Sequence, residues 1–233
     1  MFAGLSPDQW QAVALSVRVA VVAMLGCLPF ALLTAYALAR WDFWGKSILN
    51  GLVLLPLILP PVVTGYVLLL LFSKSGVVGS FLYDWFGITF AFRWTGAALA
   101  AGIMAFPLMV RAMRLAIEAV DPKLEQAAST LGASRFWVFV TVTLPLTLPG
   151  ILAGAILGFA KAIGEFGATI TFVSNIPGET RTLPIAIYTL LQVPGTESQV
   201  LRLVVAAVIL ALGAVLLSEW ISRRVARRIG AGS

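Results

Sequence analysis

The chain reads as long apolar runs separated by short segments that carry nearly all of its charge. Uncharged runs occupy residues 19–39, 47–72, 95–110, 136–160 and 203–218. About 20 apolar residues cross the hydrocarbon of a bilayer, so five such runs predict five membrane-spanning helices. The third and fifth runs hold only 16 uncharged residues each. Flanking Trp94, Arg111, Arg202, Trp220 and Arg223 extend them by placing amphipathic groups at the interfaces. The first run, helical from Ala12, measures roughly 42 Å against about 30 Å of hydrocarbon, which predicts a helix that tilts or protrudes.

The stretch 161–202 breaks the pattern. It holds apolar pieces at 166–176 and 183–193, each shorter than a span. It reads as a segment that dips into the membrane or lies on its outer face, where protein or a water-filled cavity covers its backbone. A sixth crossing there is the alternative. Seven prolines fall within the runs: Pro29, Pro56, Pro60, Pro61, Pro107, Pro145 and Pro149. Each interrupts the helix ladder, as is common in transporters whose helices move and equally in helices curved for packing.

Composition turns this pattern into a class. Of 233 residues 60% are hydrophobic and 11% charged, whereas a soluble domain carries roughly a quarter charged residues. The chain is therefore an all-α integral membrane protein, a single transmembrane domain over residues 1–233. The Ala35-Tyr36-Ala37 and Leu25-Gly26-Cys27 segments resemble processing sites. The stretch before them lacks a basic start and runs too long for a cleavable signal, so it reads as a permanent span. Cys27 has no partner for a disulfide.

The formal charge of +6 does not indicate nucleic acid, because the basic residues lie between apolar runs rather than along one face. Counted by side, Arg40, Lys46, Arg111, Arg114, Lys123, Arg135, Arg223, Arg224, Arg227 and Arg228 stand opposite Lys74, Arg93, Lys161, Arg181 and Arg202. The richer side is cytoplasmic by the positive-inside rule, which puts the N-terminus outside and the C-terminus inside.

The most informative segment, 121–137, lies on that cytoplasmic side. Asp121 is suited to cap a helix with Pro122 at its first position, Gly132 to end it in the left-handed conformation, and Ser134 to cap the next. Leu124, Ala127, Ala128 and Leu131 form one apolar face at helical spacing. The segment resembles the coupling motif of bacterial ABC importer permeases: Glu-Ala-Ala, three residues, Gly, nine residues, Ile, one residue, Leu-Pro. Here Gln126-Ala127-Ala128 is followed in register by Gly132, Val142, Leu144 and Pro145. Gln126 replaces the family's Glu, with Glu125 one place earlier, and Val142 replaces Ile. The resemblance implies a type I importer permease fold with a short cytoplasmic coupling helix. It also implies that Leu124, Glu125, Gln126, Ala127, Ala128, Leu131, Gly132, Leu144 and Pro145 couple the spans to P-loop ATPase subunits.

A second stretch, Gly164 through Tyr188, is more similar to molybdate permeases than to sulfate permeases. The likeness runs from Pro60, Pro61 and Gly65 to Ser218, Glu219 and Trp220. It implies a subunit of the bacterial inner membrane that pairs with a second copy of itself and receives molybdate, or tungstate, from an extracytoplasmic oxyanion-binding protein. Bottom-up, Lys161 and Glu165 are spaced to neutralise each other. Thr169, Thr171, Ser174 and Asn175 supply uncharged hydrogen-bonding groups near the outer mouth, so these six residues are the pathway or gate candidates.

No G-x-x-x-x-G-K-[ST] loop occurs and histidine is absent, so energy from ATP must enter through another chain. The sequence offers no catalytic constellation, no cofactor site and no Cys/His metal cluster. The alternatives are a permease for another oxyanion such as sulfate, an ion-coupled secondary carrier, and a membrane-embedded enzyme. The carrier lacks carboxylates in the first four runs, and the enzyme lacks clustered catalytic side chains.

Overall fold

The computed structural model describes residues 5–230, with side chains described as far as Leu217 and at Trp220. The side chains of Ser218, Glu219, Arg223, Arg224, Arg227 and Arg228, used above for resemblance and orientation, lie outside the described ones. Eleven α-helices are found among the described residues, and no strand.

Helix α1 (Pro7–Arg40) begins with a capping box, in which Ser6 and Gln9 satisfy each other's backbone N–H, and Pro7 sits where no donor is needed. Its 34 residues amount to about 51 Å, well beyond the hydrocarbon. Three further stretches are long and apolar enough to cross: α5 (Trp94–Glu118), the continuous Arg135–Ile163, and the first 21 residues of α11 (Glu197–Gly230).

The run 47–72 is apolar throughout yet is not one helix. It divides into α2 (Lys46–Ile58) and α3 (Pro61–Phe72), bent by 112° at the junction. The cause is Pro60-Pro61: two consecutive residues offer no N–H, and each proline drives the residue before it out of the helical region. Leu59 and Pro60 accordingly hold ψ of 145° and 132°.

Contacts set the direction of each crossing. The Arg18 guanidinium lies 3.7 Å from the centre of the Trp94 ring at one end of the bundle, and Arg40 donates to the Val120 carbonyl at the other. Helices α1 and α5 therefore run the same way, and α2, α3 and α4 (Val77–Phe86) carry the chain back between them. Helix α8 (Leu144–Ile163) runs against α5, its Gly150 on Ala116 and its Gly158 on Met109. Helix α11 starts beside the start of α1, where Gln9 Nε2 donates to Gln199 Oε1 at 3.4 Å. The two helices between, α9 (Gly167–Val173) and α10 (Leu183–Leu191), stay at that end; the Leu183 N–H donates to Ser16 Oγ at 2.6 Å. The result is five crossings rather than six.

Small residues hold the bundle together. Ala97, Ala100 and Ala101 of α5 and Ala20, Ala31 and Ala35 of α1 have no exposed surface. Apolar side chains gain nothing by leaving lipid for another helix, so association rests on close van der Waals approach, which alanine and glycine permit. Toward the Arg40 end the packing becomes larger-grained, with Met109, Met113, Ile117 and Leu38 all fully buried. The outward faces carry exposed Phe30, Leu33, Leu201 and Leu216.

Candidate functional site: the α6 knob and the α3–α9 contact

Helix α6 (Pro122–Thr130) projects from the Arg40 end of the bundle. Asp121 caps it, its carboxylate accepting from the Lys123 N–H at 2.9 Å. Gly132 ends it at φ +87°, a conformation that side chains resist. No residue of α6 is buried. Leu124 and Ala127 are exposed, Ala128 is half-buried, and Leu131 just past the helix is 89% exposed. A nine-residue helix in water does not hold itself, so something must fix it from beneath.

That support is Glu125. Its Oε1 accepts from Arg40 Nη2 at 3.2 Å and from Thr143 Oγ1 at 2.6 Å, and the same Arg40 Nη2 donates to the Val120 carbonyl at 3.0 Å. The Arg40 and Glu125 side chains are 16% and 19% exposed. The knot ties the end of α1, the start of α6 and the segment leading into α8. Glu125 thus turns inward, and the polar side chain presented outward at this level is the exposed Gln126.

Thr143 belongs to a π-helical turn, Phe139–Thr143, that follows α7 (Arg135–Val138) and precedes α8. Pro145 has no N–H for the Thr141 carbonyl, and the ladder widens just before it. Leu144 packs against the Met109, Met113 and Ile117 cluster while Pro145 stays exposed. Ser134 stands at the start of α7 without a side-chain cap bond.

At the other end, Lys161 Nζ and Glu165 Oε2 form an ion pair of 2.7 Å with Glu165 only 2% exposed. Glu165 Oε1 also accepts from the Ala168 N–H at 3.0 Å, which caps α9. Thr169 is buried and its hydroxyl donates to the Phe166 carbonyl at 2.8 Å; Thr171 donates to the Gly167 carbonyl at 2.8 Å. The structure brings Lys161, Glu165 and Thr169 together at the α8–α9 junction and sets Thr171 against α3. Ser174 and Asn175 lie beyond α9. Ser174 is exposed at φ +63°, and Asn175 is drawn toward α10, donating to Thr189 Oγ1 at 2.9 Å and accepting from Arg181 Nε at 2.8 Å.

Sequence reasoning missed how α3 and α9 meet. A Cβ on Gly65 would stand 2.5 Å from the Ala168 carbonyl oxygen, and one on Gly167 would stand 2.7 Å from Pro61 Cβ. The two helices touch almost without intervening side chains, so residues 61–65 and 167–171 are two sides of one contact. Arg40, counted above only as a topological anchor, and Thr143 were also missed. No spacing rule connects positions 85 and 18 residues from Glu125; only the fold does.

An all-helical bundle of five crossings with a projecting helix after the third defines a polytopic membrane protein. A family model described as "Binding-protein-dependent transport system inner membrane component" matches residues 27–231, and the chain belongs to that family of multi-pass inner-membrane permeases. Within it, the chain is 58% identical over 226 residues to the molybdenum transport system permease protein ModB of Escherichia coli (strain K12), covering 97% of this chain and 99% of that one. It is 56% identical over 222 residues to ModB of Haemophilus influenzae, covering 95% and 97%. The sulfate transport system permease protein CysT of Escherichia coli (strain K12) is 39% identical over 163 residues, covering 70% of this chain and 58% of that one. Among solved structures, a bacterial ABC transporter involved in the import of the acidic polysaccharide alginate superposes with a TM-score of 0.72 at 21% identity, covering 94% of this chain and 80% of that one. The MetNI methionine ABC transporter gives 0.70 at 16% identity and 94% coverage of both chains. At such identities the structures establish the fold alone.

Proposed function

We propose that this chain is the membrane-spanning permease of an ATP-driven importer that passes molybdate, and tungstate with it, across the cytoplasmic membrane. The observation that carries the substrate is the 58% identity over nearly the whole of both chains to a molybdenum permease. The sulfate permease reaches 39% over a shorter match. Two copies pair about a two-fold axis that contains the route, as closed symmetric pairs commonly do. An extracytoplasmic binding protein delivers the ion at the end where α1 begins. The Arg40 end faces the cytoplasm, in accord with the excess of basic residues there.

In this reading α6 docks into a separate P-loop ATPase through Leu124, Ala127, Ala128 and Leu131, with Gln126 as its outward polar group. The Glu125 knot makes α6 move with α1 and α8, so closure of the ATPases reaches the spans. Coupling of this kind requires a contact whose energy differs between two conformations. Lys161, Glu165 and Thr169 position α9 against α3 at the gate, with Thr171 in the contact and Ser174 and Asn175 beyond it.

The test is purification from membranes followed by uptake in vesicles holding the full complex. A P-loop ATPase should copurify, and labelled molybdate uptake should be competed by tungstate far better than by sulfate. Ala128→Arg should abolish uptake with the dimer intact. Equal competition by sulfate would overturn the substrate, and wild-type uptake by Ala128→Arg would overturn the role of α6.

A further inference from the structure

Between the Arg40-end halves of α2 and α5 lies a cavity of about 300 Å³, room for about ten waters. Its polar groups are Asn50, Arg111, Arg114 and Glu118, set in walls that include Val53 and Leu115. Arg114 is engaged: Nε donates to Glu118 Oε1 at 2.7 Å and Nη1 to Asn50 Oδ1 at 3.2 Å. Arg111, a lining residue that is itself exposed, takes part in none of the ion pairs found among the described residues. Two guanidiniums against one carboxylate leave the cavity a surplus of one positive charge.

Arg111 stands seven residues before the end of α5, about 10 Å along the axis. Helix α5, at 25 residues, is longer than the hydrocarbon is thick, so Arg111 stands near the cytoplasmic edge of the span, beside the cavity it lines. The low-dielectric walls focus its field into the cavity. The other wall of the cavity is α2, which the Pro60-Pro61 bend joins to α3.

We infer that this cavity is a receiving site for the oxyanion on the cytoplasmic half of the route, with Arg111 as its principal charge and the free N–H groups of Arg114 completing it. The inference rests on reading the chain as an oxyanion permease. One surplus positive charge against a dianion attracts without neutralising, which suits a site that must also release its ion. The competing explanation is that Arg111 only reaches to the headgroups as an anchor.

The experiment measures equilibrium binding of labelled molybdate to the nucleotide-free complex, beside uptake in vesicles. Arg111→Gln should weaken binding at least tenfold and raise KM for release-limited uptake, whereas Arg111→Lys should stay within about threefold of the wild type. Asn50→Asp, which leaves Arg111 in place but adds a negative charge to the cavity, should weaken binding at least threefold. If both Arg111→Gln and Asn50→Asp bind molybdate as the wild type does, the site is overturned, even where Arg111→Gln lowers the amount of protein in the membrane. A wild-type complex that carries molybdate while both variants match its uptake overturns the site alone. A wild-type complex that carries no oxyanion overturns the site and the function together.

Discussion

Removing the Glu125 carboxylate would leave Arg40 largely buried beside a carbonyl and a hydroxyl, with its charge unanswered. Hydrogen bonds to charged groups contribute about 2 kcal/mol each, and an abandoned buried partner adds to the loss. Glu125→Ala should therefore loosen α6 from α1 and α8: uptake falls at least tenfold, and limited proteolysis cuts between Val120 and Ser134 faster than in the wild type. Unchanged proteolysis and uptake would mean that the knot holds nothing. Gly132 is a second sensitive residue, since φ +87° costs a side-chain-bearing residue about 1–2 kcal/mol and a β-branched one more. Gly132→Val is expected to abolish substrate-stimulated ATP hydrolysis and uptake while leaving membrane insertion intact. Nothing lies within 4 Å of a Cβ there, so the loss would come from backbone strain and not from a clash.

Among the elements, the bent α2–α3 pair and the short α9 are where apolar pattern and architecture part company. The α3–α9 contact is tight enough that a methyl on Gly65 meets a carbonyl oxygen at 2.5 Å, and overpacking of this kind costs about 1–3 kcal/mol. Gly65→Val should separate α9 from α3 and change transport, seen as uptake reduced at least fivefold or as molybdate leak without ATP. Gly51→Ala, on α2 with nothing within 4 Å of its Cβ, serves as the control and should transport normally. If Gly65→Val transported as well as Gly51→Ala, the contact would be packing without a role in the route.

For the whole molecule, five crossings put Leu5 and Ser129 at opposite ends of the bundle, and Glu179 at the Leu5 end, where its carboxylate accepts from the Trp94 N–H at 3.3 Å. With the basic-rich side in the cytoplasm, cysteines at Leu5 and Glu179 should react with membrane-impermeant reagents added outside, and one at Ser129 should not. Labelling of Ser129 from outside would reverse the orientation and remove α6 from the reach of any ATPase. Crosslinking in membranes should give dimers; monomers alone, with uptake retained, would exclude a shared route.

What the amino-acid order determined by itself was whatever depends on local chemistry. Uncharged runs of span length require helices in lipid, because no other partner exists there for the backbone. Asp121, Pro122 and Gly132 delimit α6 because caps act within one turn, and Lys161 in the last turn of α8 meets Glu165 because only four residues separate them across the helix end. The tertiary structure decided what depends on distant partners. Position 125 faces inward because Arg40, on another helix, is there to receive it. The run 47–72, uniform in hydropathy, is bent because two prolines remove hydrogen bonds that hydropathy does not register. Residues 164–188 stay at one end because Ser16 and Gln9 of α1 mark where α10 and α11 begin. Patterns along a chain record propensity and burial, while the pairing of groups far apart in sequence is set only when the helices pack.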